Sequence, residues 1–200
     1  MVPRAALSAI LLFCAAVSSA AQNFIISDSL RGHVEYLCSD SLEGRRAGSD
    51  GERLAAEYVY NRFRDAGVVM LTPVEGQDFT ITTPKGDIAS RNVVGVVEGY
   101  DPVLKHEYIL VGAHVDNVGS VETTVDGQRV KRIFPGADDN ASGVAALIEL
   151  AKLISSCDFH FRRSVLLVAF GASECGLAGS WYFANRAFEG MDKVKAMIDL

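Results

Sequence analysis

The stretch that decides the fold is Tyr108-Ile109-Leu110-Val111-Gly112-Ala113, which runs directly into His114. A second stretch of the same kind is Ser164-Val165-Leu166-Leu167-Val168-Ala169-Phe170. Both are short and almost continuously apolar, which is typical of central strands buried on both faces of a sheet. Between them, apolar residues recur at helical spacing from about residue 141 to residue 155. Strand, helix and strand in this order predict one unit of an α/β fold.

Further helices are predicted on both sides of this unit. Apolar residues at helical spacing indicate an amphipathic helix from Asp28 to Cys38. Ser49, with Glu52 three residues later, has the pattern of a capping box and starts a second helix, which runs to about residue 67. Another helix is expected over residues 176–188.

Additional strands complete the predicted sheet. Short β-branched or aromatic runs lie at residues 68–71, 79–83 and 92–97, and a last one follows at 196–200. Residues 121–130, with Asp126-Gly127 at their centre, predict a hairpin inserted at the rim of the sheet. We therefore predict an α/β fold with an open, mostly parallel, twisted sheet and helices on both faces.

The amino terminus has the layout of a secretory signal peptide. Arg4 precedes an apolar run at residues 5–17, and small residues follow at 18–21. The apolar run is too short to span a membrane. We expect residues 1–21 to be a signal peptide and residues 22–200 to form the domain, exported to the periplasm or secreted, with no membrane attachment once the signal is removed.

Composition narrows the classes of partner. The chain is 49% hydrophobic and 22% charged, with a formal net charge of -6 and no basic stripe. This excludes the electrostatic footprint of a nucleic-acid-binding protein and favours small neutral or cationic partners. Removal of the signal leaves three cysteines, Cys38, Cys157 and Cys175, and an odd number cannot make a complete disulfide framework.

Residues with metal-ligand chemistry follow both central strands. His114-Val115-Asp116 comes directly after the first strand, Asp139 lies in the glycine-bounded segment 136–143, and Glu174 follows the second strand. Open α/β sheets bind ligands beyond the carboxyl ends of their strands. An imidazole with carboxylates suits zinc, and less exclusively cobalt or manganese. We predict His114, Asp139 and Glu174 as metal ligands, with Asp116 supporting catalysis by accepting the other imidazole N–H.

Three segments carry a family resemblance: Gly112-Ala113-His114-Val115-Asp116, Gly136-Ala137-Asp138-Asp139-Asn140-Ala141-Ser142-Gly143 and Glu174-Cys175-Gly176-Leu177-Ala178-Gly179-Ser180. In order and spacing they resemble the successive motifs of the M28 family of zinc aminopeptidases. The resemblance extends from about Leu30 to the end of the chain. It implies a zinc-exopeptidase fold and the hydrolysis of peptides or small amino-acid-derived substrates by a metal-activated water.

The same resemblance assigns roles to individual residues. It implies two zinc ions, with His114 binding one, Asp139 bridging both and Glu174 binding the other. It also implies a cis peptide bond between Asp139 and Asn140. Where the family has a general-base carboxylate, this chain has Ser173. A hydroxyl cannot accept a proton as a carboxylate does, so we expect impaired turnover.

The carboxyl terminus is expected to be truncated. The family's next ligand is an aspartate directly after a strand like residues 196–200, and its last is a histidine much further on. Both would lie beyond Leu200. We therefore expect an incomplete metallopeptidase domain that supplies three of the ligands and holds metal weakly by itself.

Three other functions compete with the exopeptidase. A non-catalytic binding module of the same fold would explain Ser173, and a glutaminyl-cyclase-like transferase shares the scaffold but also needs an acid at that position. Residues 171–176 resemble a nucleophile elbow, yet a serine hydrolase needs a histidine downstream of the serine, and none follows His160.

The remaining candidates are predicted to be structural. Arg45 and Arg46 could contact a substrate carboxylate, but a solvated loop is favoured. The aromatic run 181–183 is predicted to be core. The other histidines are expected to lie at the surface or to have their hydrogen bonds satisfied: His33, His106 and His160.

Overall fold

The computed structural model describes residues 27–73, 76–156 and 161–200. The predicted signal peptide, Cys157 and His160 lie outside the described residues. The helices are α1 at residues 27–37, α2 at Asp50–Asp65, α3 at Ser142–Ser156 and α4 at Ala178–Tyr182. The predicted helices are thus confirmed, the last as a short α-helix that continues as a wider helical turn over Phe183–Ala187.

Eight strands are described. They are β1 Val69–Met70, β2 Gln77–Thr83, β3 Gly86–Val97, β4 Tyr108–His114, β5 Ser120–Val125, β6 Gln128–Ile133, β7 Ser164–Phe170 and β8 Val194–Asp199. The main sheet has the order β1-β3-β7-β4-β8, and β2 pairs with β3. Strand β4 is parallel to both β7 and β8, whereas β3 is antiparallel to β7, β1 and β2.

This arrangement confirms the open α/β sheet. The parallel part, β7-β4-β8, is the part joined by α3 and α4, because parallel strands need a crossover connection. The mixed character comes from the amino-terminal strands, which join through β3. Within the described residues, no helix has the length and apolar character needed to cross a membrane.

The strand β7 shows why helices cover both faces. All seven of its residues are buried. Side chains alternate along a strand, so Leu167 and Ala169 pack with α2 and α3, while Leu166 and Val168 pack on the opposite face with Phe183. Each such buried Leu or Phe contributes about 1.5–3 kcal/mol relative to an exposed side chain. Two apolar layers therefore hold the sheet from both sides.

Local turn chemistry agrees with the sequence. The side chain of Ser49 accepts a hydrogen bond from the amide of Glu52 at 3.3 Å and so caps α2. The β5–β6 hairpin turns at Asp126 and Gly127, with φ angles of 51° and 78°. Two successive positive φ angles are typical of the hairpin turns that match strand twist.

Two cysteines and one histidine have structural environments in the described part of the chain. Cys38 and Cys175 are free and partly buried. His33 is buried and contacts the Tyr58 hydroxyl at 2.7 Å and Glu149 Oε1 at 2.9 Å. The prediction of a satisfied histidine is thus confirmed for His33, and His106 is exposed.

The aromatic run 181–183 is only partly core, so this prediction was wrong for Trp181. Phe183 is buried, whereas Trp181 is 56% exposed and has Arg186 over its ring at 6.0 Å. Consecutive residues on a helix point about 100° apart, so three in a row cannot all face the sheet. The periodicity selects Phe183 for the core.

Candidate metal centre

The two loops with ligand-type residues leave the sheet at one edge. The parallel register pairs His114, the last residue of β4, with Phe170, the last residue of β7. Residues 115–116 and 171–176 therefore begin side by side, and the helical segment Ala137–Ala141 leads into α3 at the same edge. This is the position at which open α/β sheets bind ligands.

The structure brings together the three side chains predicted as metal ligands. His114, Asp139 and Glu174 each offer one ligand atom, and these atoms all lie within 4.8 Å of one another. His114 Nε2 lies 3.1 Å from Asp139 Oδ1. The Asp139 carboxylate is 67% exposed, and Glu174 is also exposed. Two of the three candidate ligands are therefore accessible to solvent.

The other imidazole nitrogen is held by main chain. His114 Nδ1 lies 3.0 Å from the carbonyl oxygen of Asp116. Because a carbonyl oxygen can only accept, Nδ1 is the donor in this contact, and Nε2 is the ring nitrogen that faces Asp139. The carboxylate of Asp116 is further away, at 3.9 Å from Nδ1. The predicted partner residue is therefore right, but its carboxylate is not the group that accepts the bond.

The Asp116 carboxylate instead supports the neighbouring loop. It is fully buried and accepts hydrogen bonds from the amides of Ser173 at 2.8 Å and Glu174 at 3.0 Å. Burial raises the pKa of Asp116, and the two amide donors oppose that rise. One residue thus orients His114 through its main chain and the turn of Glu174 through its side chain.

Asp139 is positioned by its successor. The Asp139–Asn140 peptide bond is cis, as the family resemblance implies. The side chain of Asn140 donates to the carbonyl oxygen of Leu200 at 2.8 Å and accepts from the amide of Gly143 at 3.1 Å. Asn140 therefore ties the segment to the first turn of α3 and to the residue that follows β8.

The environment of Arg45 also differs from the prediction. It was predicted in a solvated loop, yet it is 1% exposed. Its guanidinium donates to the carbonyl oxygens of Val115 at 2.9 Å, Pro135 at 2.7 Å and Gly136 at 3.0 Å, and also to that of Leu37. Burial lowers the pKa of Arg45.

Arg45 therefore joins the segments that precede and follow the candidate ligands. No sequence pattern distinguishes it from the adjacent Arg46, which is exposed as predicted. The carbonyl oxygens that surround Arg45 belong to segments up to 91 positions away. A chain of this kind must be folded before such a cluster of acceptors exists.

Glu52 is a buried acid like Asp116, but the sequence did not predict its contacts. It was predicted as the glutamate of a capping box, but its carboxylate does not contact the amide of Ser49. It accepts instead from the Gly48 amide at 2.6 Å, the Ser90 hydroxyl at 2.6 Å and the Ala172 amide at 3.1 Å. Burial raises the pKa of Glu52 from 4.5 to about 7, against the opposing effect of these donors.

The fold and the site together define a class. One imidazole and two carboxylates, carried on separate segments at the carboxyl ends of parallel strands, form a candidate metal centre of the kind found in α/β metallohydrolases. The donor set suits zinc, and its open face suits an ion that also binds substrate.

Comparison with known proteins identifies the family. Residues 92–200 match the model of Peptidase family M28, and the chain belongs to this family. It is 30% identical over 101 residues to aminopeptidase YwaD of Bacillus subtilis, covering 50% of this chain and 18% of that protein. The chain spans less than half the length of the curated relatives it matches.

Solved structures share the fold. The LapA aminopeptidase of Legionella pneumophila has a TM-score of 0.62 at 26% identity, over 90% of this chain and 44% of that chain. A glutaminyl cyclase from Porphyromonas gingivalis has a TM-score of 0.63 at 22% identity, over 86% of this chain and 59% of that chain. The second likeness shows the fold alone. The family supports a peptidase-type fold, and zinc as the metal is supported by a relative from Pyrenophora tritici-repentis, a probable zinc metalloprotease that is 32% identical over 93 residues, 46% of this chain and 20% of that protein.

Proposed function

We propose that this chain belongs to a zinc-dependent exopeptidase of aminopeptidase type, in which His114, Asp139 and Glu174 bind the metal. The observation that carries the proposal is that their ligand atoms lie within 4.8 Å of one another at the edge where β4 and β7 end. Residues from three separate segments meet there, although 60 positions separate the first from the last.

The groups fit zinc in chemistry as well as in distance. His114 would bind an ion through Nε2, because Nδ1 donates to a carbonyl oxygen. Asp139 has two oxygens, so it can bridge two ions, and Glu174 can bind the second one. The proposed stoichiometry of two ions rests on the family resemblance.

Zinc, when bound, polarises a peptide carbonyl and makes water a better nucleophile at neutral pH. The residues of the chain supply the geometry for this. Asp116 fixes the His114 ring through its carbonyl oxygen and fixes the Glu174 turn through its carboxylate. Aminopeptidase relatives support peptides as the substrate class.

Ser173 occupies the place where the family has a general base. Its amide is held by Asp116, so the position is fixed, but its hydroxyl has a pKa far above neutrality. We propose that metal binding is retained while turnover is about 10²- to 10⁴-fold lower than with a carboxylate at this position. The same serine favours the second candidate function, a binding module that keeps the metal site without catalysis.

Export is proposed on the sequence alone. The signal-like pattern of residues 1–21 supports it. Mass spectrometry of the protein recovered from the periplasm or medium is expected to find a new amino terminus near residue 22. Recovery of an uncleaved chain in the cytoplasm would contradict export.

Zinc analysis tests the metal centre. Inductively coupled plasma mass spectrometry of the full-length gene product is expected to find about two zinc ions per chain. His114→Ala and Asp139→Ala are each expected to empty the site, because each removes a ligand from it. Asp138→Ala is the matched control, since Asp138 is an adjacent exposed acid outside the group. Unchanged zinc content in either ligand variant would overturn the assignment.

A further inference from the structure

Three consecutive amides in the loop after β7 all donate to buried carboxylates. The amide of Ala172 donates to Glu52 Oε1 at 3.1 Å, and those of Ser173 and Glu174 donate to the two oxygens of Asp116. Where the acceptor is ionised, such a hydrogen bond is roughly twice as strong as a neutral one. Two buried acids from other segments, Glu52 and Asp116, therefore hold the turn that carries Glu174 next to His114.

Glu52 is built firmly into this position. It lies in the first turn of α2, is 2% exposed, and its remaining contacts are the Ser90 hydroxyl on β3 and the Gly48 amide before α2. The loop packs directly on it, because a Cβ added to Gly171 would lie 2.9 Å from Glu52 Oε1. Glu52 therefore links α2, β3 and the loop that carries Glu174.

The loop needs such external support. Ala172 has a φ of 53°, in the left-handed region that disfavours residues with a Cβ. The neighbouring Gly171 amide is also bonded, to Asn92 Oδ1 at 3.1 Å. Loss of the Glu52 contact would leave the Ala172 amide without an acceptor in a buried position, which favours rearrangement of the turn.

We propose that Glu52 is a positioning residue for the metal centre: it fixes the Ala172 amide and thereby aims the Ser173–Glu174 turn at His114 and Asp139. The start of α2, remote from the candidate ligands along the chain, thus sets metal affinity. This inference rests on the proposed zinc site, and the experiment separates the failure of one from the failure of the other.

The experiment compares wild type, Glu52→Ala, Glu52→Gln and Val59→Ala in the full-length product. Val59 is a fully buried residue of the same helix, so its truncation destabilises α2 without touching the loop. The first readout is hydrogen exchange of individual amides by NMR in metal-free protein. The second is zinc affinity, measured by competition with a chromophoric chelator.

Glu52→Ala is expected to accelerate exchange of the Ala172 amide by at least about 10-fold and to weaken zinc binding by about 10- to 100-fold. Glu52→Gln keeps a carbonyl oxygen for Ala172, so it should restore most of the zinc affinity. Its NH₂ group cannot accept from Gly48, so exchange there should accelerate. Val59→Ala should lower stability and leave zinc affinity unchanged.

A structural role alone predicts something different. If Val59→Ala weakens zinc binding as much as Glu52→Ala does, or if Glu52→Ala leaves both the Ala172 exchange and the zinc affinity unchanged, the positioning role is wrong. If Glu52→Ala does not fold, Glu52→Gln decides: zinc binding that weakens by about 10-fold or more while exchange at Ala172 stays as in wild type overturns the proposal. Failure of the zinc site itself is seen separately, as unchanged zinc content in His114→Ala.

Discussion

The front and the back of the candidate metal centre differ in burial and therefore in what a substitution there changes. The front consists of Asp139 and Glu174, which are exposed. The back consists of Arg45, Glu52 and Asp116, which are between 0% and 2% exposed. Charged groups at the front are solvated and free to bind an ion. Those at the back are satisfied by main-chain groups, so their removal leaves buried polar atoms without partners.

This difference separates chemistry from stability. Front variants should alter metal content or rate with little effect on the free energy of unfolding, because exposed side chains contribute little to it. Back variants should alter stability first. The comparison fails if a front variant unfolds the chain or if a back variant is neutral.

The largest expected effect lies next to the front, at the partly exposed Ser173. In the full-length, zinc-loaded product, Ser173→Glu should raise the rate of aminoacyl p-nitroanilide hydrolysis by about 10²- to 10⁴-fold, because it supplies a carboxylate that can accept a proton. Ser173→Gln serves as the control, because glutamine has the size of glutamate but carries no carboxylate that can accept a proton. A rise with Gln equal to that with Glu, or no rise with Glu while zinc stays bound, would contradict the assignment of Ser173 to the base position.

The next effect concerns stability at the back. Arg45→Met removes the donors for four carbonyl oxygens, two in buried and two in partly buried hydrogen bonds, and should lower the free energy of unfolding by about 4 kcal/mol. Arg46→Met, one residue later and exposed, should change it by less than about 0.5 kcal/mol. Urea unfolding monitored by circular dichroism measures both. Equal losses in the two variants would show that the buried contacts of Arg45 do not carry the difference.

The smallest effect is a pH dependence at Glu52. The folded carboxyl keeps its proton up to pH about 7, whereas an ordinary glutamate releases it near pH 4.5. Between these values the folded state binds more protons than the unfolded state, so the free energy of unfolding falls as pH rises. This pKa shift corresponds to a change of about 3 kcal/mol in the free energy of unfolding across the window.

Urea unfolding of wild type and Glu52→Gln measures this effect. It is carried out between pH 4 and pH 8 at intervals of about one pH unit. The advantage of wild type over the variant should shrink as pH rises through this window. Asp116 is the acid that faces Glu52, and its charge acts in the same direction as burial. Parallel stability curves for the two proteins would contradict the raised pKa.

Local patterns in the sequence predicted the elements and the ligand types. Continuous apolar runs identify β4 and β7, and the Asp126-Gly127 pair identifies the hairpin. The position of His114 and Glu174 directly after those strands predicts that they meet, because parallel strands end at one edge of a sheet. These signals are local, so they can be recognised in the sequence without the tertiary structure.

The sequence by itself therefore determined the class of fold, the family and the three candidate ligands. Only the tertiary structure decided the supporting residues: that Arg45 is buried, that Glu52 bonds to Ala172, and that the Asp116 carboxylate holds the loop. The physical reason is that a buried charge is compensated by acceptors or donors from distant segments. Folding brings those partners together, and they have no characteristic spacing in the sequence by which they could be recognised.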